Sequence, residues 1–234
     1  MKIAVTGSVA TDHLMTFPGR FADSIVAGSI ENISLSFLVD ELDVRRGGVG
    51  ANITFGMGVL GLTPILIGAV GRDWDDYNSW LTRHGVDTSS VKVSTTQLTA
   101  SFTVTTDKEL NQIASFYPGA MSEARNIELG PIFKSRNGFD LVLIAPDDPE
   151  AMLRHTEECR QHKVPFAADI SQTLASLDGE SIRNLLVGAK YSFLNEYEMA
   201  LAMQKTGWDK RDFLDNVEIC ITTLGSKGAQ IESH

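Results

Sequence analysis

Short apolar runs alternate along the chain with longer segments of helical periodicity. Runs of this kind predict buried strands, and apolar positions three or four residues apart predict helices packed on them. The predicted strands cover residues 3–8, 65–70, 140–145, 165–169, 191–194 and a final one at 217–223. The predicted helices cover 53–60, 73–84, 181–187 and 196–205, and another opens at Pro149 after the capping residue Asp148. Repeated strand–helix units predict an α/β fold with a mostly parallel sheet flanked by helices.

Two stretches depart from that pattern. Residues 32–39 alternate polar and apolar side chains, and residues 100–106 and 112–116 are rich in Thr, Phe and Val. Such composition is typical of half-exposed strands. We therefore expect a small antiparallel sheet set apart from the main one.

A glycine pair precedes the first long helix. Gly47 and Gly48 let the backbone pass close to a ligand, and Asn52 follows Gly48 by about one helical turn. A helix N-terminus preceded by glycines suits polar or anionic groups. Ser8 and Asp12 follow the first strand, where ligands bind in open α/β sheets. Asp73 ends the next strand, and we expect it to cap the following helix.

Composition restricts the class of protein. The 234 residues carry a formal net charge of −10, which argues against nonspecific binding of nucleic acid. The first residues show no secretory pattern, and the apolar runs are too short to span a bilayer. Cys159 and Cys220 are far apart, which favours a reduced cytoplasm. The five histidines form no zinc or Ser-His-Asp pattern.

A dinucleotide-binding fold is the main rival. Residues 56–61 match G-x-G-x-x-G, with acids following at 73, 75 and 76. That motif requires its glycines directly after a strand and at the start of a helix. Here they fall inside a predicted helix, where close packing explains them, and no Walker A pattern occurs.

Two further motifs follow the last predicted strands. Asn195 and Glu198 form Asn-x-x-Glu at a helix start, where capping alone would explain both residues. Thr223, Gly225 and Gly228 form a Thr-x-Gly-x-x-Gly turn.

The order of these motifs resembles the ribokinase-like (PfkB-type) family of sugar and nucleoside kinases. The chain is most similar to the bacterial adenosine kinases of that family, in stretches such as 5–15, 34–40 and 113–125. The resemblance implies one domain over residues 1–234, with lid segments at about 11–45 and 96–119. It also implies ATP and Mg²⁺ as cofactors, and a homodimer formed through the lid.

The resemblance also assigns residues. Ribose would be held by Ser8, Asp12, Gly48 and Asn52. The purine would be surrounded by Ser36, Phe102, Phe116 and Gln172, with Thr173 standing where the family pattern has a second glutamine. ATP would be bound by Asn195, Thr223, Gly225 and Gly228, and magnesium by Glu198.

The implied reaction is transfer of the ATP γ-phosphate to the 5′-hydroxyl of adenosine. The family's catalytic Asp-x-x-Gly-Ala-Gly-Asp motif does not occur in these residues, so no catalytic residue is assigned and we expect residues 1–234 alone to be inactive. We also expect the C-terminal part of the fold to be absent. The alternatives are a sugar kinase of the same family and a non-catalytic nucleoside-binding protein.

Overall fold

The computed structural model describes residues 1–24 and 34–234. Its strands are β1 (Ile3–Thr6), β2 (Ala10–Thr16), β3 (Glu41–Gly47), β4 (Ile65–Ile67), β5 (Ala69–Val70), β6 (Lys92–Val93), β7 (Ala100–Thr106), β8 (Gln112–Tyr117), β9 (Leu141–Ile144), β10 (Phe166–Asp169), β11 (Tyr191–Asn195), β12 (Ile219–Thr223) and β13 (Ala229–Ser233). Its helices are α1 (Phe21–Ser24), α2 (Val49–Val59), α3 (Asp75–Arg83), α4 (Leu129–Ser135), α5 (Pro149–Gln161), α6 (Gly179–Leu186), α7 (Glu196–Thr206) and α8 (Lys210–Asn216). Short 3-10 helices cover Gly119–Asn126, Ser171–Ala175 and Gly225–Lys227.

The main sheet has seven strands in the order β13-β12-β11-β10-β9-β1-β4. All neighbours pair in parallel except β12 and β13, which are antiparallel. The predicted α/β fold with a mostly parallel sheet flanked by helices is therefore confirmed. Since all six parallel strands run the same way, their carboxyl ends share one edge of the sheet.

Helices cover the two faces of this sheet unequally. One face packs on α4 to α8 through a large buried cluster that includes Ile144, Met152, Leu185 and Phe213. The other face packs on α2 and carries Leu141, Tyr191 and Phe193 only partly buried. The side chains of α3 form a third cluster around Trp74 and Leu81. The core thus lies mainly on one side, below the carboxyl edge.

Four strands form a second sheet, the lid sheet, in the order β3-β2-β7-β8. In register, Asp12 pairs with Phe102 and Phe102 pairs with Phe116, so these side chains share one face, called the inner face. The opposite, outer face carries Leu42, Val44, Ile113 and Tyr117, all at least 44% exposed.

The lid sheet differs from the expected one in two respects. Its strands β2 and β7 pair in parallel, so the sheet is mixed rather than antiparallel. The prediction of a strand at 32–39 is wrong for residues 34–39, which form no strand. Residues 32 and 33 lie outside the described part of the structure. The strands that form in this part of the chain are instead β2 and β3. They carry polar side chains such as His13, Arg45 and Arg46 beside apolar ones. Pairing of β2 with both β3 and β7 decided their structure more than local alternation did.

Three local predictions were also wrong. Helix α2 begins at Val49, ahead of the predicted residue 53, and it is only partly buried: Val59 at its end is 63% exposed. Asp73 caps no helix, because its Oδ1 accepts the N–H of Thr99 at 2.8 Å and the Thr99 hydroxyl at 2.7 Å. Strand β12 is not the last, since β13 folds back on it.

Within residues 1–24 and 34–234, none of the helices is long and apolar enough to cross a membrane.

Candidate functional site

A cavity of about 370 Å³ lies between the carboxyl edge of the main sheet and the inner face of the lid sheet. Six of the predicted site residues line it: Ser8, Asp12, Gly48, Asn52, Phe102 and Phe116. Its other lining residues are Ala10, Val49, Pro146, Asp147, Met121, Ser171 and Thr173. The structure thus brings together residues as far apart in sequence as Ser8 and Thr173.

The glycine turn at one wall is fixed by its packing. Gly48 has a φ of 88°, a left-handed conformation that favours glycine. A Cβ atom there would lie 2.5 Å from the Cα of Val9, so a larger residue would clash with the backbone after β1. The hydroxyl oxygen of Ser8 accepts the N–H of Val49 at 3.1 Å. The start of α2 is therefore held directly against the end of β1.

Asp12 lies beside this turn. A Cβ on Gly47 would lie only 2.7 Å from Oδ1 of Asp12, so the carboxylate packs directly against the backbone of Gly47. The hydroxyl of the buried Tyr77 donates to the carbonyl of Gly47 at 2.8 Å and holds that backbone in place. Partial burial raises the pKa of Asp12, while the neighbouring His13 lowers it. Asn52, one helical turn after Gly48, is exposed towards the same cavity.

The lid sheet supplies the apolar wall. Phe102 is half-buried, and Phe116, its register partner on β8, is 51% exposed. Two neighbouring rings on the cavity side of a sheet otherwise rich in Thr and Ser form a surface on which a planar group can stack.

The 3-10 helix Ser171–Ala175 forms the opposite wall. Ser171 has a φ of 42°, which is uncommon for a residue other than glycine and is found where surrounding contacts impose it. At the other end of this helix, the Nζ of Lys205 on α7 donates to the carbonyls of Leu174 at 2.9 Å, Ala175 at 2.8 Å and Leu177 at 2.8 Å. This lysine therefore closes the end of the short helix.

The structure confirms neither of two predicted purine contacts, Gln172 and Ser36, as part of the cavity wall, whereas Thr173, which stands where the family pattern has a second glutamine, does line it. The Thr173 hydroxyl donates to the carbonyl of Ile170, so its proton is directed at backbone. Gln172 belongs to the same 3-10 helix, but its side chain is outside the described part of the structure. Ser36 is exposed and does not line the cavity.

Sequence reasoning missed Asp147. It follows β9, the strand between β1 and β10 in the main sheet, and it is only 4% exposed. The pattern Asp-Asp-Pro-Glu drew attention to helix capping, and Asp148 does cap α5 by accepting the N–H of Ala151 at 3.1 Å. The position after a strand, at the edge where Ser8 also lies, was the available indication for Asp147.

The remaining predicted residues form a second group farther along the same edge. Asn195 and Thr223 are register partners at the ends of β11 and β12, and the turn with Gly225 and Gly228 follows. The side-chain oxygen of Asn195 accepts the N–H of Glu198 at 2.8 Å, and Glu198 accepts the N–H of Asn195 at 2.8 Å. These two residues form a capping box, as the alternative interpretation of their spacing stated.

Asp169 adds a carboxyl group to this second group. It ends β10, beside β11, and burial followed by the charge of Glu198 raises its pKa to about 6. Two acidic side chains therefore lie close enough to repel each other. No cluster of three or more His, Cys, Asp or Glu side chains suited to a metal occurs in the described residues.

Comparison with known proteins gives consistent matches. The model of the pfkB family of carbohydrate kinases matches residues 6–234. A nucleoside kinase of Methanocaldococcus jannaschii is 28% identical over 187 residues, which are 79% of this chain and 60% of that protein. The chain thus spans about three fifths of the length of the curated relatives it matches.

Solved structures of a nucleoside kinase are also similar to this chain. A Burkholderia thailandensis nucleoside kinase in complex with inosine has a TM-score of 0.84 and 32% identity, and the match covers 99% of this chain and 73% of that one. The same enzyme in complex with ADP-inosine has a TM-score of 0.80 and 33% identity, covering 99% and 72%.

Proposed function

Because this chain belongs to the PfkB family of carbohydrate kinases, we propose that the protein transfers the γ-phosphate of ATP to a hydroxyl group of a nucleoside. Adenosine is the acceptor we propose. The activity is proposed for the whole protein, since the chain spans about three fifths of its curated relatives.

The observation that carries the proposal is the composition of the cavity walls. Asp12 and Asn52 supply polar groups on one side, and Phe102 and Phe116 supply aromatic rings on the lid sheet. A carboxylate can accept two hydrogen bonds from neighbouring hydroxyls, as on a ribose. Aromatic side chains stack on nucleobases of any sequence. A bare sugar would leave the rings without a partner, which favours a nucleoside over the alternative of a small sugar.

The two ends of the carboxyl edge would then bind different substrates. The cavity between Ser8 and Ser171 would hold the nucleoside. The group around Asn195 and Thr223 lies on the next strands of the sheet, where we propose that the phosphates of ATP bind. The Burkholderia enzyme that binds ADP and inosine together supports this arrangement.

Magnesium fits the acidic pair in this second group. Mg²⁺ prefers oxygen ligands and is usually held by one or two carboxylates together with substrate phosphates. Asp169 and Glu198 are two carboxyl groups that repel each other, and a cation would relieve that repulsion. When bound, the ion would neutralise phosphate charge during transfer. Glu198 and Asp169 would hold it, and no side chain within residues 1–234 is proposed as the catalytic base.

Location follows from the proposed cofactor. ATP is abundant in the cytoplasm, and Cys159 and Cys220 are both buried free thiols. We propose that the protein acts there.

We also propose that two copies associate through the lid sheet. The outer face carries exposed apolar side chains on its two edge strands, Leu42 and Val44 on β3 and Ile113 and Tyr117 on β8. Exposed apolar patches can mark interaction surfaces. A second copy presents the same patch, so the contact would be self-complementary.

Calorimetry on this chain, followed by a coupled assay of ADP release by the whole protein, tests the function. We expect adenosine to bind and Asp12→Ala to weaken that binding at least about tenfold, because each charge-assisted hydrogen bond is worth about 1.5–3 kcal/mol. Asp75→Ala, an exposed aspartate on α3, is the control and should bind like the unchanged protein.

The outcomes distinguish a nucleoside kinase from a non-catalytic binding protein and from a sugar kinase. Adenosine-dependent ADP release supports the kinase. Adenosine binding without ADP release from the whole protein supports the non-catalytic binding protein. Preference for ribose over adenosine supports the sugar kinase, and no binding of either contradicts the assignment of the cavity.

A further inference from the structure

Arg45 and Asp12 lie directly opposite each other on neighbouring strands of the lid sheet, yet their side chains point away from each other. In register, Arg45 of β3 pairs with Asp12 of β2, so both side chains project from the inner face. Directly opposite residues of an antiparallel pair have Cβ atoms about 5 Å apart, and opposite charges at such positions attract each other. The arginine is therefore within reach of the carboxylate that is proposed to hold the ribose, but it pairs with Asp43 instead.

Two contacts turn these side chains in opposite directions along β3. The guanidinium of Arg45 binds Asp43 through both Nε and an Nη atom, each 2.6 Å from Oδ2. The carboxylate of Asp12 lies over Gly47, where a Cβ would be only 2.7 Å from Oδ1. Asp43, Arg45 and Gly47 share one face of β3. The cation is thus held towards the start of this strand, and the carboxylate lies at its end, beside the cavity.

We propose that Asp43 is a positioning residue for the nucleoside site, because it holds Arg45 away from Asp12 and leaves the Asp12 carboxylate free to bind the ribose hydroxyls. Arg45 and the ribose compete for the same carboxylate oxygens, and Asp43 favours the ribose by binding Arg45. Asp12 is relevant here as a contact of the nucleoside, so the inference rests on the proposed function.

The exposure of the ion pair permits this exchange of partners. The side chains of Arg45 and Asp43 are 65% and 53% exposed, so the arginine can turn to either carboxylate without a change in the backbone. Burial raises the pKa of Asp12 and the charge of His13 lowers it, which fits a guanidinium that is turned away from this carboxylate.

The second arginine of β3 takes no part in the competition. Arg46 projects from the outer face, where it binds Asp76. Its Cζ also lies 5.2 Å from the centre of the Trp80 ring. Arg45 is therefore the arginine of this strand that can reach Asp12.

Calorimetry of adenosine binding at low salt tests the role of Asp43. We expect Asp43→Asn to raise the Kd about threefold, because the released Arg45 then pairs with Asp12. This change is about 0.7 kcal/mol, at 1.4 kcal/mol for each factor of ten. Arg45→Gln should bind like the unchanged protein, since the arginine is not a ligand contact. The double variant Asp43→Asn/Arg45→Gln should recover the affinity of the unchanged protein.

Salt distinguishes this competition from a structural effect of the substitution. Adenosine carries no charge near pH 7, whereas the competing pair of Arg45 and Asp12 is an exposed ion pair. The Debye length falls from about 30 Å at 0.01 M salt to about 3 Å at 1 M, so salt weakens that pair. The ratio of the Kd of Asp43→Asn to that of the unchanged protein should therefore fall towards one at 1 M salt. A structural defect would leave the ratio unchanged.

Glu41→Gln is the matched control. Glu41 is exposed, lies on the same face of β3 two residues before Asp43, and pairs in register with Thr16. This variant removes an equal charge from the strand but keeps the pair of Asp43 and Arg45. It should bind adenosine like the unchanged protein at both salt concentrations.

Three outcomes overturn the role of Asp43 alone. The first is an Asp43→Asn protein with unchanged affinity at low salt, and the second is a double variant that remains as weak as Asp43→Asn. The third is weaker binding by Arg45→Gln, which would make Arg45 itself a ligand contact, and it can be measured whether or not Asp43→Asn folds. Failure of the unchanged protein to bind adenosine overturns both this role and the proposed function.

Discussion

At the scale of single residues, Phe102 and Phe116 decide whether the cavity distinguishes a nucleoside from its sugar. We expect Phe102→Ala and Phe116→Ala each to weaken adenosine binding by about 1–3 kcal/mol, the usual value of stacking on a base. Ribose affinity should not change. Tyr117→Ala is the control, since Tyr117 neighbours Phe116 on β8 but lies on the outer face. An equal loss of adenosine and ribose affinity would mean that the rings only support the lid sheet.

Residue types at strand ends were predictable, and their partners were not. Ser8 and Asp12 could be placed because a parallel sheet gathers its strand ends at one edge. Asp73 could not, because a competing partner, Thr99, lies 26 residues away and satisfies its carboxylate. Asp147 was missed since its place in the cavity wall depends on burial, which local sequence does not reveal.

At the scale of secondary structure, Lys205 is a positioning residue for the 3-10 helix Ser171–Ala175. Its Nζ donates to the carbonyls of Leu174 and Ala175 at the end of that helix, where helical partners are lacking, and to the carbonyl of Leu177 just beyond it. Lys205→Met should free the strained Ser171 and weaken adenosine binding about tenfold, the equivalent of one to two net hydrogen bonds. Lys205→Arg should restore part of it, and Lys134→Met, at an exposed site on α4, should have no effect.

A positioning role differs from a general loss of stability in one respect. If Lys205 acts through the conformation of Ser171, then Ser171→Gly, which tolerates a positive φ, should recover part of the affinity lost in Lys205→Met. Ribose affinity should be unchanged in the single variant. Equal losses for ribose and adenosine, with no recovery in the double variant, would contradict the positioning role.

Elements with regular periodicity were predicted well, and those built by distant pairing were not. Helix α5 was located from Asp148 and Pro149 alone, since both its start and its cap are local. Strand β2 was missed because its central residues, Asp12 and His13, are polar and gain their extended conformation from β3 and β7. Long-range pairing of this kind leaves little trace in local composition.

At the scale of the whole molecule, the outer face of the lid sheet predicts the oligomeric state. We expect analytical ultracentrifugation to give twice the chain mass of 25.5 kDa. Val44→Asp should give single chains, because a charge buried in an apolar contact costs several kcal/mol. Val59→Asp, at a somewhat more exposed apolar site at the end of α2, is the control and should keep the mass of the unchanged protein. Single chains in the unchanged protein at high concentration would exclude this interface.

The proposed ribose contacts come from two different sheets. Asp12 belongs to the lid sheet, whereas Asn52 belongs to helix α2, which follows Gly48 and packs on the main sheet, and only Gly7, Ser8 and Val9 join β1 to β2. A sugar that is hydrogen-bonded to residues of both sheets favours one orientation of the two sheets relative to each other. By thermodynamic linkage, whatever favours that orientation raises nucleoside affinity, and nucleoside binding favours that orientation by an equal free energy. Substitutions of Gly7 or Val9, which flank the proposed ribose contact Ser8 in this connection, can therefore change ribose affinity without touching the ligand.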